Sequence, residues 1–325
     1  MPRFLKLKSR DAASFAEPLK EYLPREIVSA RGLREAVIND VEVLSELADP
    51  KVAVIRRERL NLELEPAEIA EKLLLKTRTL PPLKSRIVIG GARFRNLDTE
   101  FPFVEIHLNY RIKKPAQIEE LRKMVDESFY ALRPRGFTFK EAPGLGPQLG
   151  LTEGTLQEWS HAVWGPTKKI AAAPLPKGLE FKAETSIGFY PAYEREYQEW
   201  RDKNAALAPF VKIESEADME TAVKAGLVHA VYDEKGWAGV VAGQSNPFYN
   251  APSVYIFELF LAERLRGKGL GRAAEALFVE RVSDRFPYVW GNIHSVNTAS
   301  LKTALGLGRQ IVQTEYFVPL IPLTH

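Results

Sequence analysis

The stretch from Glu258 to Arg272 reads ELFLAERLRGKGLGR. Its first residues are typical of a β-strand, and its last residues open a helix with one apolar face. Three glycines, Gly267, Gly269 and Gly271, alternate at the turn between the two elements. Glycine has no Cβ atom, so a ligand can approach the backbone closely there. The stretch therefore predicts a strand, a loop and a helix that leave main-chain atoms accessible.

The loop also predicts a binding site for a diphosphate. The first amides of a helix have no partner within the helix and carry partial positive charge, which suits a phosphate group. The loop adds three cations, Arg266, Lys268 and Arg272. The helix behind it has an apolar stripe made of Ala274, Leu277, Phe278 and Val282, with Glu275, Glu280 and Arg281 outside that stripe. We expect the packed helix to hold the loop rigid.

Two other kinds of phosphate loop do not fit these residues. A Walker loop needs Gly-Lys-Ser/Thr after a four-residue spacer. A dinucleotide fingerprint needs a different glycine spacing inside a parallel βαβ unit. A plain strand-to-helix turn, which also uses glycine, stays open on this segment alone.

A second pattern follows the loop. Asn297-Thr298-Ala299-Ser300 opens a predicted helix, and Gly308 follows that helix. Together with the stretch from Glu258 to Arg272, these residues resemble the acetyl-CoA signature of the GNAT N-acetyltransferase superfamily, with Ser300 where the family has alanine. The resemblance covers residues 186–325 and says nothing about the first half of the chain.

The resemblance implies a GNAT fold of the α/β (α+β) class, with a central mixed, mostly antiparallel sheet flanked by helices. It implies acetyl-CoA as cosubstrate and no metal. The loop amides would hold the CoA diphosphate, and the pantetheine arm would lie beside the preceding strand. The cofactor-binding residues that it implies are Leu259, Phe260, Leu261, Arg266, Gly267, Lys268, Gly269, Leu270, Gly271, Arg272, Asn297 and Ser300.

The family mechanism implies direct attack of an amine on the thioester, without a covalent enzyme intermediate. A protonated amine must first lose a proton. Glu258 is the first candidate base, His294 is the second, and His229 ranks below both. An ordinary cross-strand pair for Glu258 and a strand-end cap for His294 stay open as alternative interpretations.

One departure from the family pattern concerns the leaving thiolate. Many members place a tyrosine acid seven residues after the asparagine, where this chain has Ala304. Tyr316 and Tyr255 are candidate replacements. Ala304 also keeps open a second hypothesis, a non-catalytic acyl-CoA-binding or regulatory protein, and a third hypothesis is transfer of a longer acyl chain. Gly308-Arg309 replaces the usual Gly-Phe.

Periodicity and turn signals predict the remaining elements. We expect strands at residues 86–94, 101–112, 135–141, 227–232, 237–243, 252–261, 288–294 and 309–320, and two strand-like pieces within 168–188. We expect helices at residues 40–47, 66–74, 115–132, 155–164, 190–205, 218–225 and 297–305. These elements predict an N-terminal α+β domain at 1–185 and a GNAT acetyltransferase domain at 186–325.

The first half echoes the second in its order of strands and helices, which favours a degenerate GNAT-like unit. The counterpart of the glycine loop, RIKKPAQ at residues 111–117, has no glycine and contains Pro115. Because proline lacks an amide donor, this loop could not hold a diphosphate in the same way. An unrelated α+β domain that shapes the acceptor pocket or a homodimer interface stays open.

Composition restricts the environment and the partners. The 325 residues include no cysteine and carry a formal net charge of +3. Disulfides and a thiol nucleophile are therefore excluded. No signal-peptide core, bilayer-length apolar run or concentrated basic stripe is present. We expect a cytoplasmic enzyme that acts on a small-molecule amine or a protein amine, with no nucleic-acid or membrane partner. Glu194, Glu196 and Glu199 could attract a polyamine or an aminoglycoside, or could simply be surface charge.

Overall fold

A computed structural model of the chain describes residues 9–28, 32–37, 76–79, 86–95, 98, 100–172 and 174–320. The predicted helices at 40–47 and 66–74 lie outside the described residues. The described chain forms two compact units. The first contains the residues before Ser160 together with those from Gln313 onwards, and the second contains Ser160–Val312.

Eleven strands are described. In chain order they are β1 Lys76–Thr79, β2 Ile87–Phe94, β3 Pro102–Leu108, β4 Gly136–Glu141, β5 Gln157–Pro166, β6 Glu180–Ala183, β7 Val228–Asp233, β8 Gly236–Ser245, β9 Ser253–Leu261, β10 Tyr288–His294 and β11 Gln310–Pro319.

The described α-helices lie between these strands or before them. In chain order they are α1 Ser9–Lys20, α2 at residues 32–37, α3 Pro115–Phe129, α4 Leu145–Leu149, α5 Tyr190–Lys203, α6 Glu216–Lys224, α7 Leu270–Val282 and α8 Thr298–Gly306.

The first unit has the strand order β1-β2-β3-β4-β11. Strands β3 and β4 are parallel, with Val104 opposite Phe137, and β11 runs antiparallel to β4. Helix α3 buries Ile118, Leu121 and Val125 at helical spacing in the core of this unit. The last described strand, β11, therefore completes the sheet of the first unit.

The second unit has the strand order β5-β10-β9-β8-β7-β6. Strand β5 pairs antiparallel with β10, from Ser160 opposite His294 to Pro166 opposite Tyr288. Helix α7 buries the apolar stripe that its sequence predicts, since Ala274, Phe278 and Val282 lie in the core.

Strands β9 and β10 diverge within this sheet. They pair in parallel through only three residues each, the last pair being Tyr255 and Trp290. Both strands then continue, to Leu261 and His294, without pairing to each other. A β-bulge lies at the same place, because Ala242 opposes Glu258 whereas Gly243 opposes Ile256. Bulges bend a strand and redirect its side chains, so the gap and the bulge belong to one distortion of β9.

The structure confirms the predicted fold class, a mixed and mostly antiparallel sheet arrangement flanked by helices. The unit boundary differs from the predicted one at 185/186. Residues 155–164 were predicted as a helix, and this prediction is wrong, because Gln157–Pro166 is strand β5. Pairing with β10 outweighs the local preference of this segment. The same pairing places β5 in the second unit, while β11 returns to the first.

Candidate functional site

A cavity of about 250 Å³ occupies the gap between β9 and β10 in the second unit. Such concave gaps with a few convergent polar groups are the usual form of ligand sites. The residues that line it are Tyr197, Phe210, Val211, Lys212, Glu214, Tyr255, Ile256, Phe257, Glu258, Leu259, Glu275, Gly291, Asn292, Ile293, His294, Asn297, Ser300 and Arg309.

The glycine loop begins helix α7 and is accessible. Gly267 and Gly269 have φ angles of 73° and 74°, the left-handed region that favours glycine. A Cβ atom at either position would meet nothing within 4 Å. A Cβ atom at Gly271 would lie 4.0 Å from Leu259 Cδ2, so the loop adjoins a residue of the cavity wall.

The loop amides are available to a ligand. Among the described residues, none supplies a hydrogen-bond acceptor to the backbone amides from Gly267 to Arg272, whereas the amide of Ala273 donates to the Gly269 carbonyl at 3.4 Å. Gly267, Lys268 and Gly269 are exposed. Free amides at a helix N-terminus form an anion-binding geometry.

Arg266 differs from its predicted role as a mobile cation. Its Nε donates to the Leu261 carbonyl at 2.6 Å. Its guanidinium lies over the rings of Trp200 and Phe260, at 4.9 and 4.7 Å. Arg266 therefore ties the loop to the aromatic face of α5 and β9, and the main-chain amides remain as the candidate anion donors.

Lys268 and Arg272 also contact the protein. Lys268 Nζ donates to the Arg264 carbonyl at 2.8 Å, although the side chain is exposed and can turn to a ligand. The Arg272 guanidinium lies directly against Gly306 at the end of α8, where a Cβ atom would clash with it.

Glu258 is a buried carboxyl in the cavity wall. Its side chain belongs to a residue that is 7% exposed, and its Oε2 accepts a hydrogen bond from Tyr193 Oη at 2.5 Å. Burial raises the pKa of Glu258 to about 8, and the nearby Glu214 charge adds to this, while the Tyr193 hydrogen bond opposes it. A base with a pKa in this range suits proton transfer near neutral pH.

The backbone amide of Leu259 lowers the pKa of Glu258, against the effect of burial. That this amide orients the pantetheine arm stays a prediction. Leu259 still lines the cavity, whereas Phe260 and Leu261 are buried residues outside its lining.

A short segment at residues 208–214 covers the other side of the cavity. It is fixed by side chains of α5. Arg201 Nη1 donates to the Val211 carbonyl at 2.9 Å. Tyr190 Oη donates to the Glu214 carbonyl at 3.0 Å, and the Glu214 amide donates to Tyr193 Oη at 3.0 Å. One tyrosine hydroxyl therefore connects Glu214 to Glu258.

The structure brings His294 and the second sequence pattern to the same cavity. The His294 ring packs against Phe210 with ring centroids 4.3 Å apart, and its Nδ1 accepts from the Val296 amide at 3.4 Å. Asn297 is the N-cap of α8, since its Oδ1 accepts from the Ser300 amide at 3.2 Å. The predicted asparagine position thus fixes the start of the helix beside the cavity.

Sequence reasoning missed a buried ion pair at the base of the cavity. Arg309 donates to Glu275 of α7 and to the Val163 carbonyl of β5, the latter at 2.8 Å. Glu275 is buried, although the helical stripe predicts it outside the core. Arg309 lies close to Gly291, where a Cβ atom would be 3.1 Å from its Nη2. The departure Gly308-Arg309 from the family pattern was the only sequence signal for this pair.

The two candidate acids separate. Tyr255 lines the cavity, and its ring packs on Trp290 with centroids 4.5 Å apart. Tyr316 is fully buried in the core of the first unit, where its hydroxyl donates to the Ala142 carbonyl and accepts from the Leu145 amide, both at 2.9 Å. Tyr316 is therefore a structural residue, and we withdraw it as a catalytic candidate.

His229 is also buried, between the rings of Phe181 and Phe278, and burial lowers its pKa to about 4.

The counterpart loop of the first unit is filled by its own side chains. The Ile112 amide donates to Glu141 Oε2 at 3.1 Å. The Lys113 and Lys114 amides donate to Gln117 Oε1, at 2.8 and 2.9 Å. Side-chain oxygens thus occupy the positions that loop amides would offer to a diphosphate.

No family model and no curated protein matches the chain. Among solved structures, a Drosophila protein is 11% identical, with 98% of each chain covered and a TM-score of 0.47. A GCN5-related N-acetyltransferase from Kribbella flavida is 12% identical over 85% of this chain and 96% of its own, with a TM-score of 0.45.

A tandem GNAT protein from the clavulanic acid biosynthesis pathway is 13% identical over 85% of this chain and 97% of its own, with a TM-score of 0.42. The chain is thus similar in fold to GNAT acetyltransferases, including a tandem one. At these identities and TM-scores the similarity carries no argument about the chemistry of this chain, which rests on the loop and the cavity described above.

The described residues contain no group of three or more His, Cys, Asp or Glu residues arranged to hold a metal ion. They also include no helix with the length and hydropathy needed to cross a bilayer.

Proposed function

We propose that the second unit transfers an acetyl group from acetyl-CoA to a primary amine by direct attack. One observation carries this proposal, namely that free amides at the start of α7 adjoin the gap between β9 and β10 through Gly271 and Leu259. A diphosphate needs the first feature, and an extended thiol-bearing arm needs the second. Their closeness, through Gly271 and Leu259, fits a single ligand that has both parts.

The loop would bind the diphosphate through the amides from Gly267 to Arg272, with Lys268 supplying an exposed cation. The arm would follow the unpaired edge of β9 past Leu259 and the start of α8 at Asn297. In this pose the thioester would lie beside Glu258. The backbone groups of β9 that lack a β10 partner could then hydrogen-bond the arm.

Glu258 would accept the proton of the attacking amine, directly or through a water molecule. Its raised pKa keeps the carboxyl a good proton acceptor, and Tyr193 holds it in place. The amine nitrogen would attack the thioester carbon, and the carbon–sulfur bond would break to release CoA thiolate. Tyr255 has a pKa raised chiefly by burial, so its hydroxyl stays protonated and can donate to that thiolate.

A second candidate function is acyl-CoA binding without catalysis. Ala304 is buried and offers no hydroxyl at the position of the family acid. This favours, as the alternative, a non-catalytic acyl-CoA-binding or regulatory protein. A longer acyl donor is the remaining variant of the first proposal.

Calorimetric titration with acetyl-CoA and with longer acyl-CoA molecules, followed by thiol release with a panel of amines, separates these candidates. Binding without turnover supports the non-catalytic acyl-CoA-binding protein, and preference for a long acyl chain supports transfer of a longer acyl group. Gly269→Asp places a negative side chain at the loop and should abolish CoA binding. Gly178→Asp is a matched control, because Gly178 also has a positive φ, 93°, with open space around it, and is not a residue of the loop.

A folded Gly269→Asp variant with unchanged CoA affinity would refute the loop assignment. Loss of CoA binding in both glycine variants would instead indicate a general effect of backbone strain.

A further inference from the structure

Glu214 presents a carboxylate to the cavity from a fixed backbone. Its side chain is only 12% exposed and belongs to the cavity lining. Its amide and its carbonyl are bonded to the hydroxyls of Tyr193 and Tyr190. None of the sequence patterns pointed to this residue, because the acidic side chains considered there lie on α5. A rigid anion in a cavity wall is a recognition element for a cation.

An alkylammonium group already occupies this carboxylate. Lys212 Nζ lies 2.9 Å from Glu214 Oε2, and the lysine side chain is 67% exposed. Lys212 also lines the cavity. Because this ion pair is open to solvent on the lysine side, it contributes little free energy, and a better-placed ammonium can displace it.

The walls around Glu214 are aromatic. Tyr197, Phe210 and Tyr255 line the same cavity. Tyr197 stacks on Phe260 with centroids 4.6 Å apart, and Phe210 and Tyr255 pack on His294 and Trp290. Rings held in this way are rigid surfaces that can accept a flat or apolar body.

The base of the cavity has an unsatisfied donor. Arg309 is 4% exposed and lines the cavity, and its Nε has no hydrogen-bond partner in the described structure. A buried donor without a protein partner is costly, and it is satisfied by an acceptor atom of a bound ligand or of an ordered water molecule. The unpaired Nε of Arg309 is a second observation, independent of Glu214, that favours a ligand site in this cavity.

We propose that Glu214 selects the acceptor, and that the acceptor is a cationic amine with a flat or apolar body. This inference rests on the proposed acetyl transfer. The ammonium group binds the Glu214 carboxylate in place of Lys212 Nζ, and the body lies against the aromatic walls. Tyr193 links Glu214 to Glu258, so the nitrogen is delivered next to the proposed base.

The test compares 2-phenylethylamine with 2-phenylethanol, which has nearly the same shape and no charge. Both are titrated by calorimetry into the full-length protein saturated with CoA, and acetyl transfer to the amine is measured as thiol release. Glu214→Gln should weaken amine binding and raise its KM by roughly tenfold or more, as expected when a charged hydrogen bond is lost. The CoA affinity and the weak binding of the alcohol should not change.

Two further variants sharpen the comparison. Lys212→Ala removes the competing ammonium and should strengthen amine binding. Glu199→Gln is the control, because Glu199 is an exposed acidic residue of α5 outside the cavity lining. It should behave like the unmodified protein.

Equal binding of the amine and the alcohol, or an unchanged amine affinity in Glu214→Gln, would overturn the inference. Failure of CoA to bind would instead count against the proposed function. If CoA binds and no amine is acetylated, the calorimetric amine affinities still decide the role of Glu214. Thermal unfolding of Glu214→Gln checks the fold, which should be retained because the Glu214 backbone makes the bonds to α5.

Discussion

The hydroxyl of Tyr193 donates to Glu258 Oε2 at 2.5 Å, so helix α5 holds the buried carboxyl of the cavity. The same hydroxyl accepts from the Glu214 amide. The Tyr193 side chain therefore helps to position both the proposed base, Glu258, and Glu214, the residue proposed to bind the amine.

The pH dependence of acetyl transfer should follow the ionisation of Glu258. Burial raises its pKa to about 8, so the carboxyl is mostly protonated below that pH and cannot accept the amine proton. We expect kcat/KM to rise about tenfold per pH unit up to roughly pH 8 and then to level off. Glu258→Gln should lower the rate and remove this component. Because titration of the amine itself is common to both proteins, the ratio of the two profiles isolates Glu258.

The same shift has a consequence for stability. Between the usual carboxyl pKa of 4.5 and about 8, the folded protein binds more protons at Glu258 than the unfolded chain does. The contribution of Glu258 to the free energy of unfolding therefore falls as the pH rises through this window. Denaturant unfolding of the wild-type protein and of Glu258→Gln, at about pH 5 and about pH 9, measures the difference. A gap between the two proteins that favours the wild type more at the higher pH would contradict the raised pKa.

Tyr193→Phe should move the activity profile to higher pH. The hydroxyl hydrogen bond lowers the pKa of Glu258, so its removal raises that pKa further. Tyr190→Phe is the matched control, because Tyr190 holds the Glu214 carbonyl from the same helix and its hydroxyl has its partner there rather than at Glu258. Both variants loosen the segment at residues 208–214, and only Tyr193→Phe should displace the pH profile. An identical displacement in both would mean that the segment, not the hydrogen bond, sets the ionisation.

Replacing the two tyrosines considered as acids should have different effects, on catalysis for Tyr255 and on stability for Tyr316. Tyr255→Phe removes a hydroxyl from the cavity wall and should lower kcat, by about tenfold to a hundredfold if it protonates the thiolate. Tyr316→Phe leaves the Leu145 amide and the Ala142 carbonyl without their buried partner, which should cost about 1–3 kcal/mol of stability. Steady-state kinetics and chemical denaturation on both variants check this separation. A lower kcat with normal stability in Tyr316→Phe would restore that residue as a candidate.

The chain should bind one CoA molecule. In the second unit the loop amides are free, whereas in the first unit Glu141 and Gln117 already satisfy Ile112, Lys113 and Lys114. A calorimetric stoichiometry of one that falls to zero in Gly269→Asp is the expected result. A second CoA that still binds to that variant would show that the first unit has an anion site of its own.

The sequence predicted much of the second unit because its signals are local. The strand at 288–294, the glycine loop and the helix that begins at Leu270 depend on residues that are adjacent in the chain. Residues 155–164 depend instead on a partner strand more than a hundred residues away, and their local pattern was misleading. The division into two units differs from the predicted 185/186 boundary for the same reason, since β5 pairs with β10 and β11 pairs with β4.

The residues of the candidate site show the same difference between local signals, which the sequence contains, and contacts between distant segments, which it does not reveal. Glu258, His294, Asn297 and Ser300 were all predicted, and all line the cavity. Tyr193, Glu214 and the Arg309–Glu275 pair were missed, because each acts through a contact between segments distant in sequence. The bulge at Phe257 was also missed, since it depends on how β9 pairs with Ala242 and Gly243 of β8.

Strand β11 also has a meaning for biosynthesis. The ribosome makes β4 long before it makes β11, and β4 is an edge strand until β11 pairs with it. During that interval a nascent chain presents an open hydrogen-bonding edge, which is a template for intermolecular association. The sheet of the first unit is therefore complete only after the C-terminal strand has been synthesised. A chain whose synthesis stopped before β11 would keep β4 as an unpaired edge strand.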